Sequence, residues 1–147
     1  MTRSQFINYL IAITRIYLAL VLILSGLDKI NNLSIFADSI ANYKILPVQF
    51  INIIAIIIPW LEVMVGGFLL LGIYIKENSI ISFSLLLIFT LAVLSAVMRN
   101  LDIDCGCQGT FNGQKVGMLK ILENALLLLF AYLSIKFPKQ VLTFIKH

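Results

Sequence analysis

Residues 50–75 read FINIIAIIIPWLEVMVGGFLLLGIYI. A hydrocarbon core of ~30 Å takes about 20 apolar residues of helix, and this run exceeds that with one charge, Glu62, inside it. Three other runs have the same character: Phe6–Leu27, Ile80–Val97 and Val116–Ile135. The fold expected from them is all-α, an integral membrane four-helix bundle formed by residues 1–147 as a single domain. Composition agrees: 61% of residues are hydrophobic and 12% charged, against roughly 25% charged in soluble domains. The net charge of +4 is small. In so apolar a chain the basic residues read as interfacial anchors, not as a nucleic-acid surface. The first run continues through Ser25-Gly26-Leu27 with no small-residue cleavage signal and is read as retained.

Polar clusters separate the runs: Asp28-Lys29 with Asn31-Asn32, then Lys76-Glu77-Asn78, then Arg99–Lys115. Between the first two runs, Leu33, Phe36, Ile40 and Tyr43 recur at helical spacing while Asp38, Ser39 and Asn42 fall elsewhere. Leu33–Leu46 is therefore predicted to hold a short amphipathic helix lying at the membrane surface and ended by Pro47. Four spans put both termini on one side. The Lys and Arg count is tied between the two sides, so the positive-inside rule does not orient the chain. Asp28, Asp38, Asp102 and Asp104 lean to one side, which also holds both cysteines, and disulfides persist outside the cytosol. The expectation is cytoplasmic termini and an extracytoplasmic cysteine loop.

Charged residues within the runs include Arg15, Glu62 and Glu123. A charge in mid-bilayer costs at least ~2.5 kcal/mol and tends to find a partner inside the bundle. Arg15 and Glu62 are predicted to pair across the first two spans, either to hold register or to take part in chemistry. Pro59-Trp60 stands just before Glu62 and Gly66-Gly67 just after it. A proline bend and small residues there would shape a cavity beside Trp60 and Glu62, in which a quinone is a possible cofactor, though no quinone motif is visible. Ala92, Ser95 and Ala96 form a small face read as packing surface.

The chain's two cysteines lie in Leu101–Thr110, LDIDCGCQGT. Gly106 lets the backbone bring the sulfurs of Cys105 and Cys107 to one side. A disulfide between positions i and i+2 is strained, and a strained bridge is readily reduced. The pair therefore reads as a bridge made and broken in use, with two incidental thiols in a turn as the plainer reading. A metal site ranks below both, because zinc prefers four Cys or His ligands and the sole histidine is His147. Asp102 and Asp104 oppose thiolate formation, while Arg99 and Lys115 favour it.

Leu24–Lys29 (LSGLDK), Asn42–Pro47 (NYKILP), Pro59–Glu62 (PWLE) and Asp102–Cys107 (DIDCGC) resemble, in order and spacing, the MauE/DoxX family of small four-helix bacterial membrane proteins. The resemblance implies an inner-membrane location and thiol–disulfide or electron transfer at the membrane. It also implies a maturation role beside a thioredoxin-like partner, for a disulfide-rich dehydrogenase subunit. The reading that follows is a membrane redox protein whose Cys105 and Cys107 exchange a disulfide with an extracytoplasmic thioredoxin-like or substrate protein. Its rival is a non-enzymatic anchoring or assembly subunit in which the cysteines stiffen a loop.

Overall fold

The computed structural model describes residues 3–99 and 118–137. Among these residues every regular element is a helix: α1 Arg3–Asn31, α2 Leu33–Asn42, α3 Val48–Leu71, α4 Ile75–Met98 and α5 Met118–Lys136. Three of them, over Phe6–Asn31, Val48–Leu71 and Ile75–Met98, are long and apolar enough to cross a membrane. The chain is sorted opposite to a water-soluble protein. Ile13, Leu24, Ile57, Trp60, Ile88 and Leu129 are exposed, whereas Arg15, Lys29, Glu62, Ser79, Ser82 and Asn124 are buried. Soluble monomers rarely show contiguous apolar surface on this scale. Here it is the surface offered to lipid.

One apolar core draws on four helices: Leu18, Ala19 and Leu22 of α1, Val65 and Leu69 of α3, Leu86 of α4, and Leu127 and Ala131 of α5. α1 packs chiefly on α3 and α4 chiefly on α5. Tyr17 and Phe130 meet edge to face at 5.9 Å and join α1 to α5.

Element ends differ from the sequence expectation for local reasons. α1 does not stop at Asp28-Lys29. It runs to Asn31 and breaks at Asn32, whose Nδ2 donates back to the Asp28 carbonyl at 3.1 Å. α3 ends at Leu71 because Gly72 takes a left-handed conformation (φ 75°). The Ile73 N–H then bonds the Phe68 carbonyl at 2.9 Å and closes the end of the helix. Lys76-Glu77-Asn78, expected to separate two spans, instead form the start of α4. The Asn78 side chain donates to the Ile73 and Tyr74 carbonyls at 3.0 and 3.1 Å and locks that turn.

α1 and α3 approach each other closely at two glycines. A methyl group on Gly26 would lie 2.7 Å from the Pro59 carbonyl oxygen and 2.7 Å from Val63. On Gly66 it would lie 2.9 Å from the Ala19 carbonyl oxygen. Gly67 has nothing within 4 Å, so of the Gly66-Gly67 pair only Gly66 is needed for contact. Gly26→Ala and Gly66→Ala should each lower stability by about 1–3 kcal/mol, the usual cost of overpacking. Gly67→Ala should be neutral or slightly stabilising. Unfolding titrations of the three variants in a lipid-mimetic micelle check the ranking.

Candidate functional site

Glu62 is 2% exposed and Lys29 3% exposed. The Lys29 ammonium donates to both carboxylate oxygens, at 2.7 Å to Oε1 and 2.8 Å to Oε2. Ser25, one turn before Lys29, also hydrogen-bonds the Glu62 carboxylate. The ammonium lies 4.5 Å from the Phe89 ring centre and 5.2 Å from that of Phe36. Both rings present an attractive face to a cation. Lys29 therefore links α1 to α3 through charge, and to α2 and α4 through aromatic faces.

Arg15, the expected counter-charge of Glu62, does not hold that place. Gly26 faces Pro59 and Glu62, and Gly66 faces Ala19 and Ile23, so the level of Arg15 on α1 lies beyond Gly66 on α3. Eleven residues of helix separate Arg15 from Gly26, about 16 Å of rise, well past the reach of an arginine side chain. Arg15 is buried at that other level. Trp60 is also not where the sequence placed it. It is 57% exposed on the outer face of α3, whereas Glu62 is buried. Neither Trp60 nor Glu62 lines the cavity described below. Cys105 and Cys107 lie outside the described residues.

The ion pair sits partway down the bundle. Glu62 is about 21 Å along α3 from Val48, and Phe89 about 13 Å along α4 from Met98, at 1.5 Å per residue. α1 thus ends near mid-length of α3. Arg99, at the end of α4, donates through Nη1 to the Tyr43 carbonyl at 3.1 Å, so α2 leads from the level of Lys29 to the end of α4. α2, which the amphipathic pattern predicts at the membrane surface, packs on α3. Its apolar face carries that packing: Phe36 is buried, as is Tyr43 just after the helix, while Asp38 stays exposed. Ser39, expected off that face, is buried too, its hydroxyl satisfied by the Ile35 carbonyl at 2.9 Å.

Between α2, α3 and α4 lies a cavity of about 670 Å³. Phe36 and Phe89 form part of its wall and separate it from the Lys29 ammonium. Ala92 and Ser95, read from sequence as packing surface, line it instead, and only Ala96 of that trio is fully buried. Tyr43 stands at the Arg99 end. Burial pushes its phenol up to about 12, which keeps it protonated across the physiological range.

Three of the four sequence segments that carry the family resemblance converge here. LSGLDK supplies Ser25, Gly26 and Lys29, PWLE supplies Pro59 and Glu62, and NYKILP supplies Tyr43. Residues 7–137 match the family described as Methylamine utilisation protein MauE. The chain belongs to the MauE family. It is 30% identical over 114 residues to the methylamine utilization protein MauE of Paracoccus denitrificans, covering 77% of this chain and 61% of that protein. To the protein of the same name from Methylophilus methylotrophus it is 29% identical over 110 residues, covering 74% and 58%. To that of Methylorubrum extorquens it is 28% identical over 119 residues, covering 80% and 64%. The chain thus spans about three fifths of the length of these relatives. No solved structure matches it.

Sequence reasoning missed Lys29 by reading it as a helix boundary. The available signal was its place in LSGLDK, three residues after a glycine on the same apolar run. Glu62→Gln should leave the Lys29 ammonium buried without its counter-charge, and Lys29→Met the reverse, each at about 3–5 kcal/mol. The double variant Lys29→Met with Glu62→Met should regain much of that loss. A double-mutant cycle on unfolding in lipid-mimetic micelles measures the coupling, and a loss equal to the sum of the single losses would rule out the partnership.

Proposed function

We propose that this membrane protein exchanges a disulfide through Cys105 and Cys107 with an extracytoplasmic thioredoxin-like or substrate protein, in a maturation role of the MauE type. The observation that carries the reading is the Cys-Gly-Cys sequence in the connection from α4 to α5 of a MauE-family chain. Support comes from its place in the chain. It begins six residues after Arg99 in sequence, and Arg99 ties the end of α4 to Tyr43. In this reading α5 crosses the bacterial inner membrane as a fourth span. Its 19 residues rise about 28 Å, close to the ~30 Å of a hydrocarbon core. The termini are then cytoplasmic and the cysteine connection extracytoplasmic. The curated relatives are named for methylamine utilisation, and service to that metabolism belongs to the same proposal.

Exchange proceeds by thiolate attack on a disulfide sulfur through a mixed-disulfide intermediate. With one cysteine removed, the other attacks and nothing resolves the adduct. Cys105→Ser or Cys107→Ser should leave the bundle folded, since packing among the helices holds it, and one of the two should accumulate a mixed disulfide with a periplasmic protein on a non-reducing gel. Equal loss of stability in both variants, with no adduct in either, would instead mark a structural bridge.

Sidedness has its own test. In intact spheroplasts, after mild reduction, a membrane-impermeant maleimide should label wild-type protein. Labelling that requires membrane rupture would reverse the orientation.

A further inference from the structure

We propose that the cavity between α2, α3 and α4 binds a membrane quinone, with its ring at the Tyr43–Ser95 end and its isoprenoid tail along the isoleucine wall. This deepens the disulfide-exchange reading and rests on it, because it names the acceptor of the electrons.

The cavity's volume of about 670 Å³ lies within the roughly 300–1,000 Å³ of small-molecule and cofactor sites. Its walls are apolar, and it is open to the membrane side: Ile57 and Ile88, which line it, are 53% and 60% exposed. A ligand that arrives through lipid can therefore enter. The polar side chains of the lining are Ser39, Tyr43 and Ser95. Ser39 already donates to its own helix. On α4, Ser82, Ser84 and Thr90 each return their hydroxyl to the carbonyl one turn back, at 2.8, 3.0 and 2.6 Å. Among the described residues Ser95 makes no such bond, although it lies on the same helix. A hydroxyl left over in an apolar cavity is a donor in want of an acceptor, and a quinone carbonyl is one. Ser95 is one turn before Arg99, and the cysteine connection begins directly after that.

The chemistry needs such an acceptor. When a partner dithiol reduces the Cys105–Cys107 disulfide, the partner leaves oxidised and the loop is left as two thiols. Reoxidation breaks two S–H bonds and forms one S–S bond, releasing two electrons and two protons. A quinone takes up both, one proton on each carbonyl oxygen, and leaves as the hydroquinone. Atoms and charge balance with no further reactant. A phospholipid acyl chain would fit the same walls but accepts no electrons and has no use for the Ser95 hydroxyl at that position.

Trp60 is the only tryptophan and lies within a turn of Ile57 and Ile58 in the cavity wall, so its fluorescence reports a nearby quinone. Decylubiquinone added to the full chain in nanodiscs should quench Trp60 saturably. Ala92→Phe, which fills the cavity, should weaken that binding by about tenfold or more. Ser95→Leu supplies the same test if Ala92→Phe fails to fold. Ser95→Ala, which removes only a hydrogen bond, should weaken it by about two- to tenfold. Quenching that rises linearly and equally in all variants, or that phosphatidylglycerol abolishes while Ser95→Ala leaves it unchanged, would make this a lipid site and overturn the proposal. Dithiol-form wild type should also convert decylubiquinone to its hydroquinone, and the Cys105→Ser, Cys107→Ser double variant should bind it equally well without converting it. A mixed disulfide trapped with a partner but no hydroquinone formed would leave the exchange reading standing and overturn this acceptor. Hydroquinone formed with no partner ever trapped would do the opposite.

Discussion

The Lys29–Glu62 ion pair sets the arrangement of the bundle. Two charges buried at 3% side-chain exposure stay ionised only if each neutralises the other, and leaving either alone is far costlier than the pair is worth. This requirement brings the last turn of α1 to the middle of α3. Everything on that side of the molecule follows from it. α1 cannot also reach the start of α3, so a second helix, α2, has to cover the remaining length. With α1 ending short, α2, α3 and α4 enclose a cavity where a fully extended α1 would have packed. The two phenylalanines that face the ammonium are also part of that cavity's wall, so charge and cavity share a partition one ring thick.

The polar residues of the spans follow a second constraint. Inside a bundle surrounded by lipid, a hydroxyl that cannot meet water can bond back to its own helix. Ser39, Ser82 and Ser134 do so. Such back-bonds consume a polar group without asking anything of a neighbouring helix. Groups that do ask something, such as Ser25, Lys29 and Glu62, are gathered at one place between α1 and α3. Among the described residues the bundle is thus apolar except at a few levels, and at the level of Glu62 the charge is paired.

Much of this was legible in the sequence, and what was not has identifiable causes. The all-helical, membrane-type fold followed from run length and low charge, and the family from four short segments. Lys29 was misread because Asp28-Lys29 beside Asn31-Asn32 looks like the end of a span. Hydropathy treats a lysine as a cost and takes no account of a glutamate thirty-three positions later that cancels it. Lys76-Glu77 misled in the same way, while the true stop, Gly72, hides within an apolar run. Trp60 and Glu62 are two residues apart, which on a helix places them on well-separated faces, one exposed and the other buried. The role proposed for Ser95 rests on which carbonyl its hydroxyl does or does not meet, and no pattern in a linear chain encodes that.

The glycine contacts between α1 and α3 give the molecule a stiff spar. At Gly26 and again at Gly66 the backbone of one helix rests against atoms of the other, two stops set along the same seam. Sliding by one turn, about 5.4 Å, would drive side chains into those stops and pull the ammonium off its carboxylate together. Between the spar and α4 the join at this level is of another kind: the Phe89 ring against the Lys29 ammonium at 4.5 Å, a contact that tolerates a shift of an ångström or so with gradual loss. If the molecule changes shape in service, the give is at that aromatic face, and the wall of the cavity moves with it.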